Sequence, residues 1–124
     1  MNEIPTIITE RVDDMPLLLE QMQRMGLPAL LDDHFPTHGN WQGLSLGLVS
    51  TIWLSAILSR GDHRLVHVEP WVANRLWTLR ATTGQAVERL DFTDERLDMV
   101  LRCVHDDLRW SACASTLHQH TGRV

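Results

Sequence analysis

HFPTHGNWQGLSLGLVSTIWLSAILSRGDHRL, residues 34–65, holds a turn-rich loop, an uncharged apolar run and a charged exit, and the apolar run decides the fold. Its first ten residues are loop chemistry: Pro36, Gly39, Asn40 and Gly43 favour turns, and Trp41 gives the loop a large apolar group to bury. Leu44 to Leu58 follows as fifteen residues interrupted by Ser45, Ser50, Thr51 and Ser55. A bilayer needs about twenty apolar residues. The run therefore reads as a helix, about Ser45 to Leu58, apolar on nearly every side and expected in the middle of a bundle.

Outward from this centre the pattern stays helical. Upstream, Met15, Leu18, Leu19, Met22 and Met25 recur at helical spacing, with Asp13 or Asp14 available to cap the helix and Gly26 to end it. Leu27 to Asp33 begins with Pro28 near its N-terminus, where the missing N–H costs nothing, so a second short helix closes a helical hairpin. Thr6 to Thr9 is short and β-branched, an expected edge strand within an extended segment over residues 1–12.

Downstream, a fourth helix is expected from near Pro70, with Val68, Val72, Leu76 and Leu79 on one stripe. Trp77 lies off it, about 140° from Val72 at 100° per residue, and is either a second core contact or a partner surface. Gly84 ends that helix, and Asp91 or Thr93 caps the next, in which Leu97, Val100, Leu101 and Val104 match the i, i+3, i+4, i+7 pattern. A last helix starts at Asp106 and Asp107, with Trp110, Cys113, Ala114 and Leu117 on its buried stripe. The expected fold is all-α, one compact bundle of five to six helices over residues 1–124, with at most one short N-terminal strand.

Length and composition agree with a single domain. A 124-residue chain buries roughly two-thirds of its unfolded surface. With 44% hydrophobic and 22% charged residues it is far from the disordered range. All eleven basic residues are Arg, and the formal charge is −5. Only residues 60–90 are net basic, with five Arg against three acids. Cys103 and Cys113 are too few for a disulfide framework and lack zinc-ligand spacing. The opening MNEIPTIITERVDD has no apolar signal region, so a reduced, cytoplasmic protein is expected.

The segment 34–65, taken with RVDDMPLLLEQMQRMGLPALLDDHF before it and LDFTDERLDMVL after it, resembles a domain of unknown function at the N-terminus of bacterial insertion-sequence transposases. The likeness covers roughly residues 10–115. Those enzymes use a DDE catalytic core, which in the family follows this region, so the resemblance implies a truncated transposase without catalytic residues. It also implies a role in DNA transposition.

The residues themselves supply no alternative chemistry. The doublets Asp13-Asp14, Asp32-Asp33 and Asp106-Asp107 could suggest a two-metal site, but the first and last sit where N-caps are wanted and Asp32-Asp33 falls in the polar exit of a short helix. His63 and His67 share a helical spacing without a third ligand, and His34 and His38 flank a proline in a loop. No metal, cofactor or small-molecule substrate is expected. Two roles remain. In the first, Arg60, Arg64, Arg75, Arg80 and Arg89 contact phosphates of transposon-end DNA. In the second, the domain docks on a transposase catalytic domain or a second protomer, with Trp77 on the contact surface.

Overall fold

The computed structural model describes residues 14–35, 41, 43–61, 67–105 and 110–116, and all its regular structure there is helical. Six α-helices run α1 (Met15–Arg24), α2 (Leu27–His34), α3 (Leu46–Arg60), α4 (Val68–Ala73), α5 (Leu76–Thr83) and α6 (Asp94–Cys103). A 3-10 turn, Arg89–Phe92, precedes α6, and residues 110–116 form a further helical stretch. The all-α bundle is as expected. The expected strand at Thr6–Thr9 and the segment 1–12 lie outside the described residues.

α3 is the hub, packing against α1, α2 and α4. Its start is fixed twice. Ser45 caps it by accepting from the Leu48 amide at 3.2 Å, and Asp32, reaching across from α2, accepts from the Gly47 amide at 2.7 Å. Asp32 is thus more than a polar helix exit: it satisfies an N–H that the first turn of α3 would otherwise leave without an intrahelical partner. Two buried hydroxyls further along are satisfied within the helix, Thr51 donating to the Gly47 carbonyl at 2.7 Å and Ser55 to the Ile52 carbonyl at 2.6 Å. These local bonds let polar residues sit in a buried face at little cost.

Gly47 is also where α2 and α3 come closest. A Cβ placed there would lie 1.9 Å from the Pro28 carbonyl oxygen and 3.0 Å from the Asp32 carboxyl carbon. Only glycine lets the two backbones meet at this separation. At the far end of α3, Ser59 donates to the Asp14 carboxylate at 2.8 Å, so the start of α1 is tied to the end of α3. Asp14 makes this bond instead of a side-chain cap on its own helix.

The core runs through Met15, Leu19, Phe35, Ile52, Trp71, Val72, Leu79, Phe92 and Leu97. Four expectations need correction. The fourth helix is two, with the chain turning at Asn74 and Arg75: the Arg75 amide bonds the Val72 carbonyl three residues back at 2.9 Å, as at a helix end, and the Asn74 side-chain amide adds a second bond to the Pro70 carbonyl at 2.9 Å. α3 is buried all round only in its first turns; Leu54 and Leu58 are exposed. Leu101, expected on the buried stripe of α6, is exposed while Leu97 and Val100 are buried. Ala114 and Trp110 are likewise exposed, although the Trp110 ring centroid lies 4.7 Å from that of Phe35, and Cys113 is the buried residue of 110–116. Leu117 and the Asp106-Asp107 start of that helix lie outside the described residues.

Gly47→Ala will destabilise the fold by about 3 kcal/mol, because the added methyl meets backbone that cannot rotate away. Gly61→Ala is the control. Its position has a left-handed φ of 68° but open space around it, so only about 1 kcal/mol of backbone strain is expected. Urea unfolding of both variants measures the difference, and equal losses would mean the α2–α3 approach is looser than described.

Candidate functional site

Of the five arginines proposed for phosphate contact, Arg60 lies exposed at the last turn of α3, and Arg64 is outside the described residues. The other three have tasks inside the domain. Arg75 stacks its guanidinium 4.6 Å from the centre of the Trp71 ring and donates to the Trp71 carbonyl at 3.0 Å. Arg80 donates to the Val87 carbonyl at 2.8 Å and pairs with Glu88 at 3.2 Å, folding the loop after α5 back onto that helix. Arg89 pairs with Glu69 at 3.4 Å, joining the 3-10 turn to α4.

The Arg80 and Arg89 pairs are largely open to water, and such pairs contribute about 0–1 kcal/mol. A phosphate could exchange for either carboxylate. Arg75 is different, because it is half-buried against an aromatic face and its carbonyl acceptor is in the same turn. A second cationic stack involves Arg96, 4.6 Å from the centre of the Trp41 ring, while Trp41 donates its indole N–H to the Leu44 carbonyl at 2.7 Å. This pair pins the loop ahead of α3 onto α6.

Trp77 is 60% exposed on α5. Trp71, which the stripe reading passed over, is buried and central. The signal for it was present, since Val68, Trp71 and Val72 stand at i, i+3, i+4. Exposed leucines occur on α3 as well: Leu54 and Leu58 share a face four residues apart, with half-buried Trp53 and Ile57 beside them. On the same side, the Ser50 hydroxyl and the Trp53 indole N–H are buried without a hydrogen-bond partner.

The acidic doublets do not assemble. Asp14 sits at the C-terminal end of α3 and Asp32 at its N-terminal end, about 18 Å apart by helix rise between their partners Ser59 and Gly47. Each already holds a hydrogen bond. Among the described residues no group of three His, Cys, Asp or Glu side chains could hold a metal ion, and no helix is long and apolar enough to cross a membrane. His67 lies at the start of α4, and His63, His38 and the Asp106-Asp107 doublet are outside the described residues.

No family model, curated protein or solved structure gives a significant match to the chain.

Burial pushes the Cys113 thiol above its ordinary value, so the folded protein favours the neutral form. The stability this confers is present below the ordinary thiol range, about 8.5, and is lost as pH rises through the raised folded value. Cys113 should therefore be alkylated more slowly than half-buried Cys103, read by mass spectrometry at pH 8. Stability should decline above the ordinary thiol range in the native sequence and not in Cys113→Ala.

Proposed function

We propose that this chain is a non-catalytic N-terminal accessory domain of an insertion-sequence transposase, and that it serves DNA transposition by docking on protein. Its partner in this reading is the transposase catalytic domain or a second protomer. The observation that carries the reading is the outer side of α3. From Leu46 to Ser59 the helix has no charged residue, yet Leu54 and Leu58 stay in contact with water, and Trp77 is exposed on α5. Exposed aliphatic and tryptophan side chains of this size are typical anchors of protein interfaces. The formal charge of −5 suits a protein partner better than a polyanion.

Direct contact with transposon-end DNA is the second reading, favoured by one specific feature. Arg60 is exposed at the last turn of α3, with no acidic partner among the described residues, and Arg64 follows four residues on. Phosphate contacts there would be few, so binding would be weak and only shallowly salt-dependent. Either role needs the bundle to present its surface residues and no residue to perform chemistry.

Sedimentation of the chain over a concentration series, with and without a transposase catalytic domain, tests docking. Self-association or complex formation is expected, and Leu54→Asp with Leu58→Asp, or Trp77→Ala, should weaken it at least tenfold while leaving helicity unchanged. A chain that stays monomeric, ignores the catalytic domain and is indifferent to these substitutions would sink the docking role. Electrophoretic shift on terminal-repeat DNA tests the second reading. Arg60→Ala with Arg64→Ala should reduce the slope of log affinity against log salt by about 2. Binding no tighter than that of a neutral control protein would exclude it.

A further inference from the structure

A cavity of about 540 Å³ opens between the α1–α2 turn, the start of α3 and the loop after α5. That volume lies within the usual range of small-ligand sites, about 300–1,000 Å³. Pro28, Leu44 and Leu48 give it apolar walls, and Gln23, Ser45, Thr83 and Gln85 supply polar atoms. Among the described residues no charged side chain lines it.

The chemistry of this lining narrows the ligand. An anion would want free amides or a cation, but the Gly47 and Leu48 amides at the start of α3 are already taken by Asp32 and Ser45. An ammonium group would want a carboxylate, and none faces the cavity among the described residues. The Thr83 hydroxyl is committed, donating to the Leu79 carbonyl at 2.7 Å and accepting from the Gln85 amide at 3.2 Å. What remains are the Ser45 hydroxyl, whose oxygen accepts from Leu48 and whose O–H can still donate, and two carboxamides, Gln23 and Gln85, neither engaged through its side chain by another described residue. Each carboxamide offers one donor and one acceptor side by side.

We propose that this cavity binds a nucleobase: a planar, uncharged heterocycle whose edge alternates hydrogen-bond donors and acceptors. A carboxamide pairs with such an edge through two parallel hydrogen bonds, the geometry by which Gln reads adenine. The aliphatic walls bury the faces of the ring. The base can come from a free nucleoside or from an unpaired position of a single strand, and both share this recognition chemistry. The site is separate from the outer face of α3 and stands whether or not the domain docks on protein.

Amide chemical shifts of the full chain, titrated with adenosine, guanosine, cytidine and thymidine up to about 5 mM and then with short single-stranded and duplex oligonucleotides, test the proposal. Saturable shifts confined to the cavity lining, residues 23–28, 43–48 and 83–86, are expected with at least one nucleoside or single strand, and not with duplex. Gln85→Ala should weaken binding about tenfold, and Ala86→Trp, which crowds the mouth from an exposed position, should abolish it. Nucleoside binding alone assigns a free-ligand site, and binding only of single strands assigns an unpaired-base site. No saturable shift with any of these probes, or affinity unchanged in Gln23→Ala, Gln85→Ala and Ala86→Trp proteins that melt like the native one, overturns it.

Discussion

The backbones of α2 and α3 meet where the Pro28 carbonyl lies against Gly47, and there the Asp32 carboxylate receives the Gly47 amide. Most of the domain follows from that meeting. It sets the crossing of two helices whose side chains contribute Leu30, Leu31, Val49 and Ile52 to the core, and it fixes the start of the hub helix. The other end of the hub is then placed where Ser59 can reach Asp14, so α1 closes over the pair. A helix with so little charge has few polar anchors of its own. Asp32, Ser45 and Asp14, two of them borrowed from other segments, supply them.

The second half of the domain is held by a different device. Four arginines act as internal staples, each reaching a ring, a carbonyl or a carboxylate on a nearby segment: Arg75 on Trp71, Arg80 on Val87 and Glu88, Arg89 on Glu69, and Arg96 on Trp41. The guanidinium group suits this work because it is planar, carries several donors and stacks on aromatic faces without losing its hydration as dearly as an ammonium. The basic excess of residues 60–90 is therefore partly spent on architecture, and its net field is smaller than the sequence count suggests. A similar tightness recurs at Gly43, where a left-handed φ of 87° brings the loop against buried Asp91, whose carboxylate also accepts from the Glu88 amide at 3.1 Å.

Hydrophobic periodicity made α1 and α6 legible, because their buried residues recur at three and four positions, while Pro28 marked the start of α2 and an uncharged apolar run marked α3. The break at Asn74 was not, since Val72, Leu76 and Leu79 continue the helical rhythm straight across it. Periodicity reports which face is wet; it is blind to a turn that happens to preserve phase. Asp32 was misread for a related reason: its partner is a backbone amide fifteen residues away, and no spacing rule connects the two. The cavity is assembled from separate stretches of chain around Gln23, Ser45 and Gln85, so only the folded molecule could display it.

The clasp between Asp32 and Gly47 has a bearing on how the chain reaches its fold. Its two halves are close in sequence, and the loop joining them costs little entropy to close. Contacts of such short range form early, so α2 and α3 can associate while the rest of the polypeptide is still leaving the ribosome. The ties that depend on α4, α5 and α6 lie further along the chain, on residues synthesised after α2 and α3. A vectorially synthesised chain thus builds its own template, and the apolar hub helix spends the least time without cover.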